Sequence, residues 1–329
     1  MSFVIDGSEW SFDGHNPDEV VMKIENLLVR IRVARERKEK IWIGDDLQTK
    51  YIIANFDLWS LCVPEAPIKF STEIVQELAA WLGSASHYAD DEWPDGLDEI
   101  LIEKDGEVAE ENSDLAWAHH KTRSGQPVGC LSLFTSKICD TKSNLGSAKI
   151  HYISDESAHR NFWRAGLTGG STDLLEFLSP NAFPDIYFYS SIWRGIRNLA
   201  GGYLAIRNEL LKYLCSLDDY GRWIFFAPDS ALPYRIEPNW NTNNRPSNQL
   251  IERRFKEHHL EITPENPDVF RDKTCREARQ IIIDEMPIYC EWHGKLEPHR
   301  NRLYIYPPIF QSNWKVIIAI AHEHLPLPR

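Results

Sequence analysis

The run YCEWHGKLEPHRNRLYIY (289–306) sets His293, Lys295, Arg300 and Arg302 within two strand-like stretches. An imidazole gives and takes protons near neutral pH. Lysine offers phosphate a point charge and arginine a two-pronged donor. Together these types suit RNA cleavage through the 2′-hydroxyl. A base takes that proton, an acid protonates the leaving oxygen, and cations steady the charge that builds on phosphorus. His322 and His324 in IAIAHEHLP, and Arg279 upstream, extend the set.

Strand alternation supplies a way to gather these groups. If 287–295 and 300–306 pair antiparallel through the loop 296–299, Lys295 faces Arg300, His293 faces Arg302, Glu291 faces Tyr304 and Tyr289 faces Tyr306. All eight then lie on one side. The other side receives Ile288, Cys290, Trp292, Leu303 and Ile305, an apolar set fit for a core. A slip by one residue would undo this sorting. Lys295 opposite Arg300 is a like-charge pair, unfavourable unless an anion binds there. The simpler alternative is a solvated face whose charges are screened by Glu291, Glu297 and water. On the functional reading, His293, Arg302, Lys295, His322 and His324 are the candidate catalytic residues. Arg279, Arg300, Tyr304 and Tyr289 are the candidate substrate-binding ones. Cys290-x-x-His293 invites zinc, but the two side chains face opposite sides of a strand, so no metal ligand set is expected. No GxGxxG or P-loop frame occurs either, and no cofactor is expected.

The elements that must hold this face read as a small unit. A helix over 250–257 precedes four strand candidates, 277–284, 287–295, 300–306 and 315–322. That pattern predicts a small α+β domain at 250–329 with a four-stranded antiparallel sheet. The turn-rich NWNTNNRPSN (239–248) is the expected boundary. Before it, 1–240 reads as an acidic, mixed α/β domain. It opens on a short strand pair in IDGSEWSFDG, with helices over 17–40 and 71–83, strands over 41–43, 128–135 and 148–153, and helices over 154–167 and 171–178. A helical stretch over 186–217, interrupted near Gly201–Gly202, precedes a strand at 223–226. The run 88–115 is expected as an acidic loop, with a strand at 99–103. AWAHHKTRSGQP (116–127) is expected as an exposed polar loop. The overall fold class is α+β.

Charge is uneven along the chain. The net charge is −13, yet 251–329 is neutral and holds half of the twelve histidines, so the first 250 residues carry the whole deficit. Phosphate contacts need cations, which excludes general nucleic-acid binding by the acidic part. RNA, if bound, goes to the C-terminal face. No apolar run reaches the length of a membrane span, and MSFVIDGSEW lacks a signal-peptide pattern. The six cysteines form no CxxC pair. A cytoplasmic protein with reduced thiols and no membrane contact is expected.

With a helical lead-in, an R-x-x-R run (Arg276, Arg279), a central basic strand (Arg300, Arg302) and a late strand ending in a polar cluster, the last 80 or so residues resemble the RelE/ParE superfamily of small toxins. The resemblance implies a curved antiparallel sheet and RNA cleavage, ribosome-dependent or free, with Arg279, Lys295, Arg302 and His322 or His324 near the scissile phosphate. It also suggests a bacterial defence setting. Those toxins are small and strongly basic, whereas this segment is neutral and follows a net-acidic stretch of 250 residues. On the residue types and the resemblance together, the expected activity is a toxin-like, metal-independent ribonuclease. The alternative is a non-catalytic subunit that docks a protein partner on the same face.

Overall fold

The computed structural model describes residues 1–44, 46–63, 65–88, 101–228 and 246–328. The chain has a mixed α+β fold and divides into two compact units, Met1–Gly166 and Leu167–Arg329.

The first unit runs β1 (Ser2–Ile5), α1 (Pro17–Glu36), β2 (Lys40–Ile43), β3 (Tyr51–Ile53), β4 (Phe56–Asp57), α2 (Thr72–Leu82), β5 (Ser86–His87), β6 (Leu101–Lys104) and β7 (Glu107–Glu111). It continues through α3 (Ser113–Arg123), β8 (Val128–Leu131), β9 (Lys137–Ser143), β10 (Gly146–Ile153) and α4 (Glu156–Ala165). Local chemistry accounts for α1: Asn16 caps it, Pro17 opens it, and Val20, Ile24, Leu27, Leu28 and Ile31 form its buried stripe. Eight strands form one sheet in the order β5-β2-β1-β8-β10-β9-β6-β7. The first five pair in parallel, as strand–helix–strand crossovers require. The expected opening strand pair is thus not local: β1 lies between β2 and β8, with Phe3, Val4 and Ile5 fully buried.

Within the acidic run, 89–100 lies outside the described residues. The strand there begins at Leu101, and β6 and β7 join the main sheet. The polar loop expected over 116–127 is instead mostly α3, capped by Asn112, whose side chain accepts from the Leu115 N–H. His119 is buried and bonded to the hydroxyls of Thr141 and Ser143, 2.8 and 3.0 Å away.

The second unit runs α5 (Thr172–Ala182), β11 (Ile186–Phe188), α6 (Ile192–Arg197), α7 (Gly202–Phe226), α8 (Asn248–Glu257), β12 (Ile262–Pro264), α9 (Pro267–Arg271) and α10 (Lys273–Glu277). It ends with β13 (Gln280–Ile283), β14 (Met286–Tyr289), β15 (Trp292–Glu297), β16 (Arg300–Tyr306) and β17 (Val316–His322). Its main sheet has five strands in the order β11-β17-β16-β15-β12, and β13–β14 is a separate two-stranded ribbon. This corrects the four-stranded meander. The C-terminal sheet draws β11 from before 239–248, so that stretch, mostly outside the described residues, lies within the second unit's range. The strand expected at 223–226 is the last turn of α7, an apolar WIFF run buried on all sides.

Helix α7 packs close on one face of this sheet. A Cβ on Gly294 would lie 2.4 Å from the Tyr213 ring, and one on Gly221 2.5 Å from Val316. Trp292 joins that core against Phe225 and Phe255, with Leu303 and Ile305 buried beside it. On the opposite face, Ile281, Ile283 and Ile288 of the ribbon cluster with Tyr304, Ala319 and Leu325.

Candidate functional site

β15 and β16 do form a hairpin, but two residues off the expected register. Lys295 faces Arg302, His293 faces Tyr304, and Glu297 faces Arg300. The cause is the turn. Pro298 and His299 form a two-residue connection, with His299 at φ 68°, which suits proline followed by a left-handed residue. A shift of two preserves parity, so His293, Lys295, Arg302 and Tyr304 still share a face, opposite Trp292, Leu303 and Ile305. Tyr289, Ile288 and Cys290 do not belong to this hairpin. The chain leaves strand geometry at Cys290–Glu291, and β14 pairs with β13 instead.

The pairing continues into β17, where Arg302 faces His322. Lys295, Arg302 and His322 therefore form one row across three adjacent strands, which span about 10 Å. Among the described residues no carboxylate pairs with Lys295 or Arg302; one Arg302 N–H donates to the Glu297 carbonyl at 3.3 Å. The like-charge contact expected between Lys295 and Arg300 is replaced by Lys295 opposite Arg302. Arg300 instead turns to the Glu297 carboxylate, with both contacts at 3.1 Å.

Behind that row lies a carboxylate absent from the sequence reading. Glu265, one residue past β12, is 8% exposed and accepts from Arg279 Nε at 2.8 Å. Its Oε1 also lies 3.5 Å from His293 Nδ1, an ion-pair distance without hydrogen-bond geometry. Short β12 sets this up by pairing Thr263 with His293. Asn266 then caps α9 and turns the chain. Burial, above all, holds His293 below the ordinary imidazole range. Glu265 opposes that shift, while Arg302, Lys295 and Arg279 reinforce it. A neutral His293 is a proton acceptor, and Nε2 is the nitrogen left for a substrate.

Three residues expected to bind substrate support the site from within. Arg279 is 1% exposed and donates to the Cys275 and Pro326 carbonyls, both at 3.0 Å, as well as to Glu265. Its guanidinium lies 5.4 Å from the Tyr304 ring. Tyr304 is buried beneath this group and Leu325. Burial pushes the hydroxyls of Tyr289 and Tyr304 up to about 12, so both stay protonated. None of the three reaches an outer ligand. β17 ends at His322, so His324 does not continue the strand; its N–H donates to His322 Nδ1 at 3.1 Å. That bond makes Nδ1 an acceptor and leaves the proton on Nε2 of exposed His322.

The first unit offers a different cluster. The strand order reverses direction at β1 and β8, where ligands bind in open parallel sheets, but its own carboxylates fill that end. Asp6 accepts from Ser8 and Asn112. Asp114 accepts from the Gly7 N–H at 2.7 Å. Glu9 takes up the Leu133 and Phe134 N–H groups. Burial, against the Gly7 hydrogen bond and together with the Asp6 charge, raises Asp114 to about 7. Among the described residues no group of three His, Cys, Asp or Glu side chains could hold a metal ion, and no helix is long and apolar enough to cross a membrane.

Comparison of the chain with protein-family models, with curated proteins and with solved structures finds no match.

Proposed function

We propose that the second unit is an RNA-directed nuclease, a toxin-like effector in the sense of the RelE/ParE resemblance, acting at His293. The observation that carries this reading is the row Lys295–Arg302–His322 with a carboxylate-backed, neutral histidine one row away. His293 and His322 stand two strand spacings and one two-residue step apart, about 12 Å between α-carbons. A phosphate over Arg302 lies between them. His293 takes the 2′-hydroxyl proton as that oxygen bonds to phosphorus. The bond from phosphorus to the 5′-oxygen breaks; the departing oxygen accepts a hydrogen bond from His322 Nε2–H and takes its proton from water. The products are a 2′,3′-cyclic phosphate and a 5′-hydroxyl. Arg302 and Lys295 stabilise the charge on the pentacoordinate phosphorus. Glu265 acts through His293 as a positioning residue, and such contacts tighten when substrate binds.

The test is cleavage of a labelled single-stranded RNA by wild type, His293→Ala and Arg302→Ala, with folding followed by circular dichroism. Loss of cleavage in folded variants supports the reading. A folded wild type that cleaves nothing, while Arg302→Ala loses a co-purifying protein, moves the assignment to docking on the same face.

A further inference from the structure

The cationic row does not stop at His322. β11 pairs with β17 only over Val316–Ile318. Beyond that point a cavity of about 320 Å³ opens along the free edge of β17, and its lining includes Ser191, Arg194, Asn198, His322 and Glu323. Arg194 is exposed, and among the described residues no carboxylate pairs with it. One turn further along the same helix, Arg197 is bridged to Asp173 and Glu176 at 2.7 and 2.5 Å. Several other cations of this unit are held that way: Lys212, Lys256, Arg271, Arg279 and Arg300 each have an acidic partner. Among the described residues Lys295, Arg302 and Arg194 have no carboxylate partner, and His322 stands between Arg302 and the cavity that Arg194 lines.

The approach of α6 to β17 is fixed by Gly195. A Cβ there would lie 2.5 Å from the Ala321 carbonyl oxygen, so a larger residue would push the helix off the strand. This close seat brings Arg194 to the cavity that His322 lines. The Ser191 hydroxyl and the Asn198 amide add neutral donors. Glu323 also lines the cavity and is exposed, so water keeps its charge hydrated.

We propose that this cavity is a second phosphate subsite and that the substrate is a single-stranded polynucleotide. Its backbone crosses the strands from Lys295 through Arg302 and His322 into the Arg194 pocket. The inference rests on the phosphodiester reading of the His293 site. A recess of this size takes one nucleotide-sized group and excludes a double helix, and a cationic track along the backbone is how single strands are held without base readout.

The experiment is fluorescence anisotropy on the full chain with 2′-O-methyl oligonucleotides, which lack the attacking hydroxyl. A dinucleotide, a longer single strand and a duplex of the same sequence are compared. Wild type should bind the longer strand about tenfold more tightly than the dinucleotide, the worth of one charge-assisted phosphate contact, and should disfavour the duplex. In Arg194→Ala and Asn198→Ala, checked by circular dichroism, that length advantage should shrink towards none. An advantage that survives in folded Arg194→Ala and Asn198→Ala overturns the subsite, as does equal binding of the duplex. The outcomes separate from those at His293. If the length advantage depends on Arg194 but RNA is never cleaved, the subsite stands and the catalytic reading falls. If no single strand binds, both fall.

Discussion

His293 and Glu265 are 3.5 Å apart in a site where burial keeps the imidazole neutral. Removing the carboxylate charge has a signed consequence. Glu265 raises the affinity of His293 for protons, so Glu265→Gln should move the acid limb of the kcat/KM profile to lower pH and reduce kcat. The amide oxygen still accepts from Arg279 Nε, which keeps the buried guanidinium satisfied. An unshifted acid limb would remove Glu265 from the mechanism. Asp114 gives a second test, of stability. Its ordinary value of 3.8 rises to about 7 in the fold. Between those values the folded protein holds a proton that the unfolded chain has released, so stability falls as pH rises through that window. The full difference is about 4 kcal/mol. Asp114→Asn should therefore raise the melting temperature at pH 8 and leave it nearly unchanged at pH 4. A variant less stable than wild type at pH 8 would contradict this account. Of the site residues, His293, Lys295, Arg302 and His322 were legible from type and alternation. Glu265 was not, because it follows a three-residue strand whose partner lies nearly thirty positions away.

At the scale of elements, the hairpin's position depends on two close contacts. Asn301 has φ 57° and is fully buried, and its amide bonds both the N–H and the C=O of Ala200 at 2.9 Å. Asn301→Ala leaves that backbone pair unsatisfied and should cost about 1–3 kcal/mol, read as a lower denaturation midpoint. Arg302 follows directly, so RNA binding should weaken with it. A variant as stable as wild type would show that water replaces the amide. Tyr213 sets the other contact: its hydroxyl donates to the Lys295 carbonyl and accepts from the Glu261 N–H, both at 3.0 Å. The sorting of polar from apolar side chains in β15 and β16 could be read from sequence because it depends only on parity. The register could not, because Pro298–His299 carries no glycine to mark a left-handed turn. The end of α7 misled for a different reason. A helix buried all round has no polar face, so WIFF gives the same signal as a buried strand.

For the whole molecule, charge decides where a polyanion can go. The chain is acidic overall, and the neutral segment 251–329 carries Lys295 and Arg302, which have no carboxylate partner among the described residues. Binding of a single strand should weaken with salt at a slope of about −2 on a log–log plot if Lys295, Arg302 and Arg194 each displace a counterion. Arg302→Ala should flatten that slope by about 0.7. A salt-independent affinity would point to apolar docking. The α+β class was legible from alternating hydrophobic periods. The division of the chain was not: NWNTNNRPSN looks like a linker by composition, yet the C-terminal sheet recruits β11 from some fifty residues before it, and composition does not report such pairing.

The most direct measurement is incubation of the full chain, in chelator, with a single-stranded RNA and with its all-deoxy analogue, followed by analysis of product ends. Wild type should cut the RNA to 2′,3′-cyclic phosphate ends and spare the DNA, and folded His293→Ala should cut at least about a hundredfold more slowly. Equal cutting of both substrates, or a His293→Ala variant as fast as wild type, would contradict the account.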